Sequence, residues 1–154
     1  MASQPAVSAS IEIAAPAPQI FDILADPRRH VEIDGSDMIR RCLDGPDRLG
    51  LGSEFLMSMR LWGIPYGVRN RVVEYQENRL IAWRHFEPQR WRFELERTES
   101  GTRVTETFDY GYWPPVGRLL LVGLGWLRRN ETAINETLVR LASAAQTGPT
   151  ETST

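Results

Sequence analysis

Residues 89–110, QRWRFELERTESGTRVTETFDY, contain two runs in which large apolar and polar side chains alternate, separated by a polar break at 99–101. Such alternation is typical of half-buried strands, and a short polar break that ends in Gly is typical of a hairpin turn. The two-residue turn has two possible placements, one of which sets Phe93 and the other Leu95 opposite Glu106. Both placements put Glu106 on the apolar face, so this hairpin predicts a carboxyl group inside the fold.

The hairpin closes a longer series of predicted strands. Alternating or apolar runs predict further strands at residues 8–14, 38–43, 53–61, 66–75 and 80–86. Short turn-forming breaks separate the later strands, which predicts an antiparallel meander. After the first strand, two short helices are predicted at 19–25 and 27–31.

The pattern then becomes helical, and residues 115–145 are predicted to form one long amphipathic helix. Its apolar stripe consists of Leu120, Leu124, Leu127, Ile134, Leu138, Leu141 and Ala145. Asn130 and Glu131 interrupt the stripe, where a helix crossing a cavity would face a ligand; pairing of Glu131 with Arg128 is the alternative. Strands followed by this helix predict an α+β fold, a curved sheet closed by the helix, with Asn130 and Ile134 facing the interior.

The length of the chain predicts a single domain. With 154 residues it is long enough to bury a core of its own. Residues 1–7 and 146–154 are rich in small and polar residues, which is typical of flexible tails. Residues 8–145 are therefore predicted to form the domain.

The composition excludes several classes of function. A formal net charge of -2 gives no basic surface, so nucleic acid is not expected as a partner. All 18 cationic residues are Arg, which removes Schiff-base chemistry and lysine general bases. One cysteine and two histidines cannot supply a zinc site of Cys and His ligands, so we expect no metal and no other cofactor.

Two features of the sequence bear on its location. The first ten residues lack a basic region followed by an apolar run, so they do not resemble a secretory signal. The longest apolar stretch, residues 119–127, spans nine residues, against about 20 needed to cross a bilayer. We therefore expect a cytoplasmic protein with no transmembrane segment.

Glu106 is the first candidate functional residue. A carboxylate on a buried face is costly unless it is paired, hydrogen-bonded or neutralised, and burial raises its pKa. The alternative is a structural ion pair with an arginine, for which Arg69, Arg71 and Arg84 are the candidates. A perturbed carboxyl group is found at functional and at structural sites, so both interpretations stay open.

His85 is the second candidate for acid or base chemistry. If Trp83, the bulkiest residue of its strand, faces inward, the alternation of the strand turns His85 inward with it. The opposite phase makes His85 an exposed residue at the end of the strand. An inward His85 would suit an acid, a base or a hydrogen-bond partner of a ligand.

Large apolar side chains on the inward faces are candidates for the wall of a cavity. A sheet that wraps one helix encloses more space than side chains fill, so the same residues can be core and pocket wall. The candidate ligand-binding residues on the strands are Met57, Met59, Trp83, Trp91, Phe93 and Phe108.

The first half of the predicted helix has more apolar residues than one face requires. The surplus lies between Leu119 and Trp126. It could pack on the polar segment 32–50, form a homodimer contact, or provide an apolar entrance for lipid-like molecules.

The order of elements and several local strings resemble the SRPBCC superfamily, also called START-like or Bet v 1-like, and within it the polyketide cyclase/dehydrase-like group. The strings are IEIAAPAPQIFDILADP at 11–27, LIAWRH at 80–85, GTRVTETF at 101–108 and the closing helix. The resemblance implies a helix-grip fold: a seven-stranded antiparallel sheet curved around the C-terminal helix, two short helices after the first strand, and a deep cavity. It also implies hydrophobic ligands, such as lipids, sterols, polyketides or aromatic metabolites, and no single reaction.

Many members of this superfamily have an aromatic residue at the position of Glu106. The resemblance thus implies that this cavity is more polar than is usual, and suited to a ligand with a hydroxyl, an amine or a protonated base.

Three functions follow as hypotheses. The first is binding of a small hydrophobic or amphipathic ligand, oriented by Glu106 and His85. The second is a cyclase or dehydratase in which Glu106 or His85 transfers a proton while the cavity folds the substrate. The third is a dimeric or membrane-surface partner protein that uses Leu119 to Trp126.

Overall fold

The computed structural model describes residues 6–85, 89–110, 114–116, 119 and 125–147. Seven strands form one antiparallel sheet with the spatial order β1-β7-β6-β5-β4-β3-β2. The strands are β1 (Ala6–Ile13), β2 (Ile39–Asp44), β3 (Glu54–Leu61), β4 (Ile64–Gln76), β5 (Leu80–Arg84), β6 (Arg90–Thr98) and β7 (Gly101–Asp109). The helices are α1 (Ala17–Leu24), α2 (His30–Ile33), which follows a 3-10 turn at Pro27–Arg29, and α3 (Trp126–Thr147). The predicted helix-grip fold is confirmed.

The register of the β6–β7 hairpin resolves the ambiguity of the sequence. Thr98 pairs with Gly101, so the turn is at 99–100, and Phe93 lies opposite Glu106. Gly101 is required here because a Cβ at this position would lie 2.1 Å from the carbonyl oxygen of Ile13. The chain must pass this close to β1 for the hairpin and β1 to join the same sheet.

The predicted single helix over residues 115–145 is wrong at Gly125. This residue has φ of 69°, a left-handed conformation that Gly adopts without steric cost and that ends a helical ladder. The carbonyl of Gly125 accepts the first hydrogen bond of α3, from the amide of Arg129 at 3.2 Å. Residues 117, 118 and 120–124, which include Leu120 and Leu124 of the predicted stripe, lie outside the described residues.

The ends of the domain extend slightly beyond the predicted limits of 8–145. Strand β1 begins at Ala6 and α3 ends at Thr147. The remainder of the predicted tails, 1–5 and 148–154, lies outside the described residues. Within the part of the chain that is described, the helices are too short or too polar to cross a bilayer.

The position of α3 determines which part of the space inside the curved sheet is filled by its side chains. The helix packs mainly against β1, with further contacts to β7, α1 and α2. Its predicted stripe is buried at Ile134, Leu138, Leu141 and Ala145. Because α3 lies over the β1 side of the curved sheet, the concave face of β3 to β6 remains available to form a cavity.

Candidate functional site

A cavity of about 340 Å³ lies between the concave face of the sheet, α3 and the segment that joins α2 to β2. Cavities that bind small molecules start at roughly this size and are mostly apolar, with a few polar groups. Seven of the predicted ligand-binding residues line it: Met57, Met59, Trp83, Trp91, Phe93, Asn130 and Ile134. Alternation along the strands brings the first five of these side chains to one face of the sheet, and α3 contributes Asn130 and Ile134.

Phe108 requires a correction. It faces inward and is fully buried, as predicted, but it does not line the cavity. Its ring packs against that of Trp91, the residue opposite it in the sheet, with 4.5 Å between the ring centroids. Phe108 therefore belongs to the core behind the cavity wall, and Trp91 is the residue that the cavity meets.

Glu106 lies in the cavity wall with only 3% of its surface exposed. Its strand neighbours are Phe93 on β6 and Ala9 on β1, both apolar. Among the described residues its Oε2 atom has no hydrogen-bond partner. Burial, reinforced by the negative charge of Asp34, raises the pKa of Glu106 well above its ordinary value and favours the protonated acid.

Among the described residues, the alternative pairing of Glu106 with Arg69, Arg71 or Arg84 is not observed. Arg69 lies 3.8 Å from Glu54, and Arg71 and Arg84 lie opposite each other in the register of β4 and β5. All three side chains are exposed, whereas Glu106 is buried. Strand alternation turns these arginines to the convex face of the sheet, so they cannot reach a carboxyl group on the concave face.

His85 lines the same cavity, in phase with Trp83. Its Nδ1 atom forms a hydrogen bond with Oδ1 of Asn70, whose Nδ2 donates to the carbonyl of Val68 at 3.3 Å. Since Oδ1 can only accept, Nδ1 of His85 carries the proton. Burial lowers the pKa of His85 to about 4, so its ring is neutral near pH 7 and its Nε2 atom retains a lone pair.

His30 is a cavity residue that the sequence analysis missed. It is 3% exposed, stacks on Trp83 with 4.8 Å between ring centroids, and donates from Nε2 to the carbonyl of Leu24 at 2.8 Å. Burial lowers its pKa, which leaves Nδ1 as a neutral acceptor. The signal that could have found it is the spacing of His30 and Ile33, which share one face of a short helix.

On α3, the structure separates the two polar residues that interrupt the stripe. Asn130 is 7% exposed and lines the cavity, and its Nδ2 atom has no hydrogen-bond partner among the described residues. Glu131 is exposed to solvent, so the expectation that it faces a ligand is wrong. A step of one residue turns the helix by about 100°, which places the neighbour of a buried position outside.

The segment from Asp34 to Met38, part of the polar segment 32–50, forms a wall of the cavity. The carboxylate of Asp34 accepts from the amide and hydroxyl of Ser36, at 3.0 and 2.6 Å, and from the amide of Ile39 at 2.8 Å. These bonds fold the segment into a compact turn that presents Asp34, Ser36 and Met38 to the cavity.

Two side chains of α3 hold this turn in place. The amide of Gly35 donates to Oγ1 of Thr137 at 3.0 Å. Arg140 donates to the carbonyl of Asp34 at 2.6 Å and to the carboxylate of Asp37 at 2.9 Å. The cavity wall thus depends on contacts more than 100 residues apart in the chain, which a local sequence pattern cannot reveal.

Three titratable groups of the site favour their uncharged forms, beside the carboxylate of Asp34. Of the described residues, no three His, Cys, Asp or Glu side chains come together as metal ligands would. Glu106 favours its acid form, while His30 and His85 favour their neutral forms. One apolar cavity therefore contains a weak acid and two weak bases, together with the amide of Asn130.

The apolar segment from Leu119 to Trp126 falls mostly outside the described residues. Leu119 itself is 74% exposed. A dimer contact, or a membrane-surface contact, through this segment stays a prediction.

Known proteins resemble this chain in sequence and in fold. Residues 4–146 match the family described as polyketide cyclase / dehydrase and lipid transport, which confirms the resemblance inferred from the residues. Two uncharacterised proteins of Mycobacterium tuberculosis, from strains H37Rv and CDC 1551, are 42% and 41% identical over 139 residues. The match covers 88% of this chain and 62% of each of those proteins, so this chain spans under two thirds of their length.

Solved structures share the fold at low sequence identity. A protein of Nitrosomonas europaea has a TM-score of 0.70 at 19% identity, with 96% of this chain and 97% of that chain covered. The di-domain aromatase/cyclase StfQ of the steffimycin biosynthetic pathway has a TM-score of 0.71 at 15% identity, with 92% of this chain and 50% of that chain covered. At these identities the likeness establishes the architecture only.

Proposed function

The chain belongs to the polyketide cyclase/dehydrase and lipid transport family, and we propose that it binds a small hydrophobic or amphipathic ligand in the cavity between the sheet and α3. One observation carries the proposal. Two polar atoms, Oε2 of Glu106 and Nδ2 of Asn130, are buried in the wall of this cavity without partners among the described residues. Leaving such groups unsatisfied costs about 1–3 kcal/mol each, and a ligand in the cavity would supply the missing hydrogen bonds.

The lining of the cavity supports the same proposal. Trp83, Trp91 and Phe93 contribute aromatic side chains, and Met57 and Met59 contribute adaptable apolar contacts. A ligand of aromatic or lipid-like character would bury apolar area against these residues while its polar group meets Glu106 and Asn130. Such a division into a large apolar wall and a few polar groups is typical of small-molecule sites.

The test is titration of the protein with the uncharged fluorescent probe N-phenyl-1-naphthylamine. We expect saturable binding of one probe per chain. Ala133 lines the cavity on α3, so Ala133→Phe should fill it and weaken probe binding at least tenfold. Val139 lies on the same helix but is 55% exposed, so Val139→Phe is a matched control that should bind as the wild type does.

Two results would contradict the proposal. One is the absence of saturable binding to the folded wild-type protein. The other is equal probe affinity in Ala133→Phe and Val139→Phe. If Ala133→Phe does not fold, Ala133→Leu is the smaller variant, and thermal unfolding of each protein shows which variants are native.

A second candidate function is proton-transfer catalysis, favoured by the presence of an acid and a base in one cavity. For a substrate with a hydroxyl group β to a carbonyl, Nε2 of His85 would remove the proton from the carbon between them. Glu106 would give its proton to the departing hydroxyl, which leaves as water, and a carbon–carbon double bond forms. Return of the proton from His85 to Glu106 would restore the starting state.

The two functions are separated by Glu106→Gln. Gln preserves the shape and the neutral hydrogen-bonding groups of the protonated acid but cannot give up a proton. Catalysis by this route requires that Glu106→Gln bind the probe within a small factor of wild type and lose turnover of a candidate substrate. Turnover retained in Glu106→Gln would exclude this role for Glu106 and leave the binding function standing.

A further inference from the structure

We propose that the cavity selects its ligand by charge: it accepts an amphiphile whose buried polar group is an uncharged hydroxyl, and it rejects carboxylate and phosphate groups. This inference rests on the proposed binding function and specifies the chemistry of the same site. It is carried by three observations: the charged residues of the lining, the two unpartnered polar atoms, and the hydrogen bonds that fix the histidine rings.

Among the described residues, the lining offers an anion no arginine as a counter-ion. The chain has 18 cationic residues, all Arg, yet none of the described residues that line the cavity is an Arg. Arg140, on the adjoining helix, is already bound to the carbonyl of Asp34 and to the carboxylates of Asp37 and Glu136. An anionic ligand would be buried without a counter-ion beside two acidic side chains, Asp34 and Glu106, which is strongly unfavourable.

The polar atoms of the cavity wall require a ligand group that can both donate and accept. Nδ2 of Asn130 is a donor and needs an acceptor. Nε2 of His85 is an acceptor, because the bond to Asn70 fixes the ring proton on Nδ1. A hydroxyl group has a donor and two lone pairs, whereas a carboxylate can only accept and an ammonium group can only donate.

An ammonium ligand would gain most from an ionised Glu106, because the carboxylate of Asp34 already accepts three hydrogen bonds from Ser36 and Ile39. The charge of Asp34 opposes the ionisation of Glu106. The other titratable groups of the cavity wall are His30, His85 and Tyr66, and none of them is a fixed cation that would stabilise the Glu106 carboxylate. Burying an ammonium–carboxylate pair also removes two ions from water, a cost that an alcohol avoids.

The experiment uses ligands that share one ring system and differ in charge: 2-naphthalenemethanol, 2-naphthoate and 2-naphthylmethylammonium, with naphthalene as the apolar reference. The affinity of each compound is measured at pH 7 by its displacement of N-phenyl-1-naphthylamine from the folded chain of 154 residues. We expect the alcohol to bind at least tenfold more tightly than the carboxylate and the ammonium compound. Glu106→Gln should keep this order, because Gln has the same shape and cannot ionise, and the order does not depend on an ionised Glu106.

A pair of variants on α3 tests the role of the polar wall. Asn130→Leu should weaken binding of the alcohol about fivefold or more and leave naphthalene binding unchanged, since only the hydroxyl uses Asn130. Asn135 is exposed on the same helix, so Asn135→Leu is the matched control and should change neither affinity.

Each other outcome overturns the inference in a recognisable way. Binding of 2-naphthoate as tight as that of the alcohol would show that the cavity does not discriminate against anions. Tighter binding of the ammonium compound, lost in Glu106→Gln, would show an ion pair with Glu106. Failure of even the neutral probe to bind would remove the proposed function itself, and the selectivity with it.

Discussion

Asn70 holds the ring of His85 in one tautomer: Oδ1 of Asn70 accepts a hydrogen bond from Nδ1 of His85, while Nδ2 of the same amide donates to the carbonyl of Val68. The two bonds fix the orientation of the Asn70 amide. The carbonyl of Val68 can only accept, so Nδ2 faces Val68 and Oδ1 faces the ring of His85. As a consequence, the lone pair of His85 is on Nε2. Asn70, 2% exposed at the centre of β4, is thus a positioning residue for the candidate site.

Asn70→Asp should raise the pKa of His85 above its value of about 4. A carboxylate at this position stabilises the protonated ring by its opposite charge, which counteracts the effect of burial. The measurement is the titration of the His85 ring resonances by NMR between pH 3 and 8. Asn135→Asp, on the exposed face of α3, is the control; an unchanged titration in Asn70→Asp would show that the amide does not govern this ring.

Glu106→Gln should remove a loss of folding stability that Glu106 causes in the wild type as the pH rises. The pKa of Glu106 is raised in the folded protein, so the folded state binds the proton more tightly than the unfolded state does. The contribution of Glu106 to stability is therefore fully present below its ordinary pKa of 4.5. It is lost as the pH rises toward the pKa of the folded state, by at most about 1.4 kcal/mol per pH unit. Gln does not titrate, so the stability of the variant does not show this loss.

The measurement is urea unfolding of wild type and Glu106→Gln between pH 4.5 and 8. His30 and His85 have lowered pKa values and act in the opposite sense in both proteins, so the difference between the two isolates Glu106. We expect the variant to gain stability relative to wild type as pH rises. Glu131→Gln, at an exposed position, should show a flat difference; a flat difference for Glu106→Gln as well would mean that Glu106 titrates normally.

His30→Phe should lower the free energy of unfolding by about 1–3 kcal/mol, the usual cost of removing one partner from a buried hydrogen bond. The phenyl ring can still stack on Trp83, but the carbonyl of Leu24 loses the donor at 2.8 Å. Urea unfolding with an unchanged dependence on denaturant is the expected signature. Stability equal to that of wild type would show that the bond contributes nothing net.

Gly35→Ala should lower the free energy of unfolding by about 3 kcal/mol, near the upper end for overpacking, and weaken probe binding. A Cβ at Gly35 would lie 2.3 Å from the carbonyl oxygen of Ala133 and 2.6 Å from the amide of Thr137, both backbone atoms of α3. The turn that forms a cavity wall would have to move away from the helix. Thermal unfolding and probe titration measure both effects.

Gly67 provides the matched control for this substitution. A Cβ there would meet only Leu56 Cδ1, at 3.6 Å, an ordinary contact. Gly67→Ala should therefore stay within about 0.5 kcal/mol of wild type, as surface substitutions usually do. Equal stability of the two variants would contradict the close packing of Gly35 on α3.

Particular residues show what could not be predicted from the sequence. Alternation placed Glu106 and Phe108 on the inward face, but only the packed structure shows that Phe108 packs against Trp91 and does not line the cavity. Helical periodicity predicted one helix from residue 115 onward, but Gly125 has a left-handed conformation and α3 begins only at Trp126. Periodicity reports which face a side chain occupies and does not report what lies in front of it.

The sequence by itself determined the order of strands and helices, the antiparallel sheet and the inward carboxyl group, because these follow from local alternation and from turn-forming residues between short strands. Tertiary structure decided the polar character of the site. It brought His30 against Trp83, Asn70 against His85, and the turn at Asp34 against α3, pairs that are 15 to more than 100 residues apart. Such contacts depend on how distant elements pack, and burial produced by that packing shifts the pKa values of Glu106, His30 and His85.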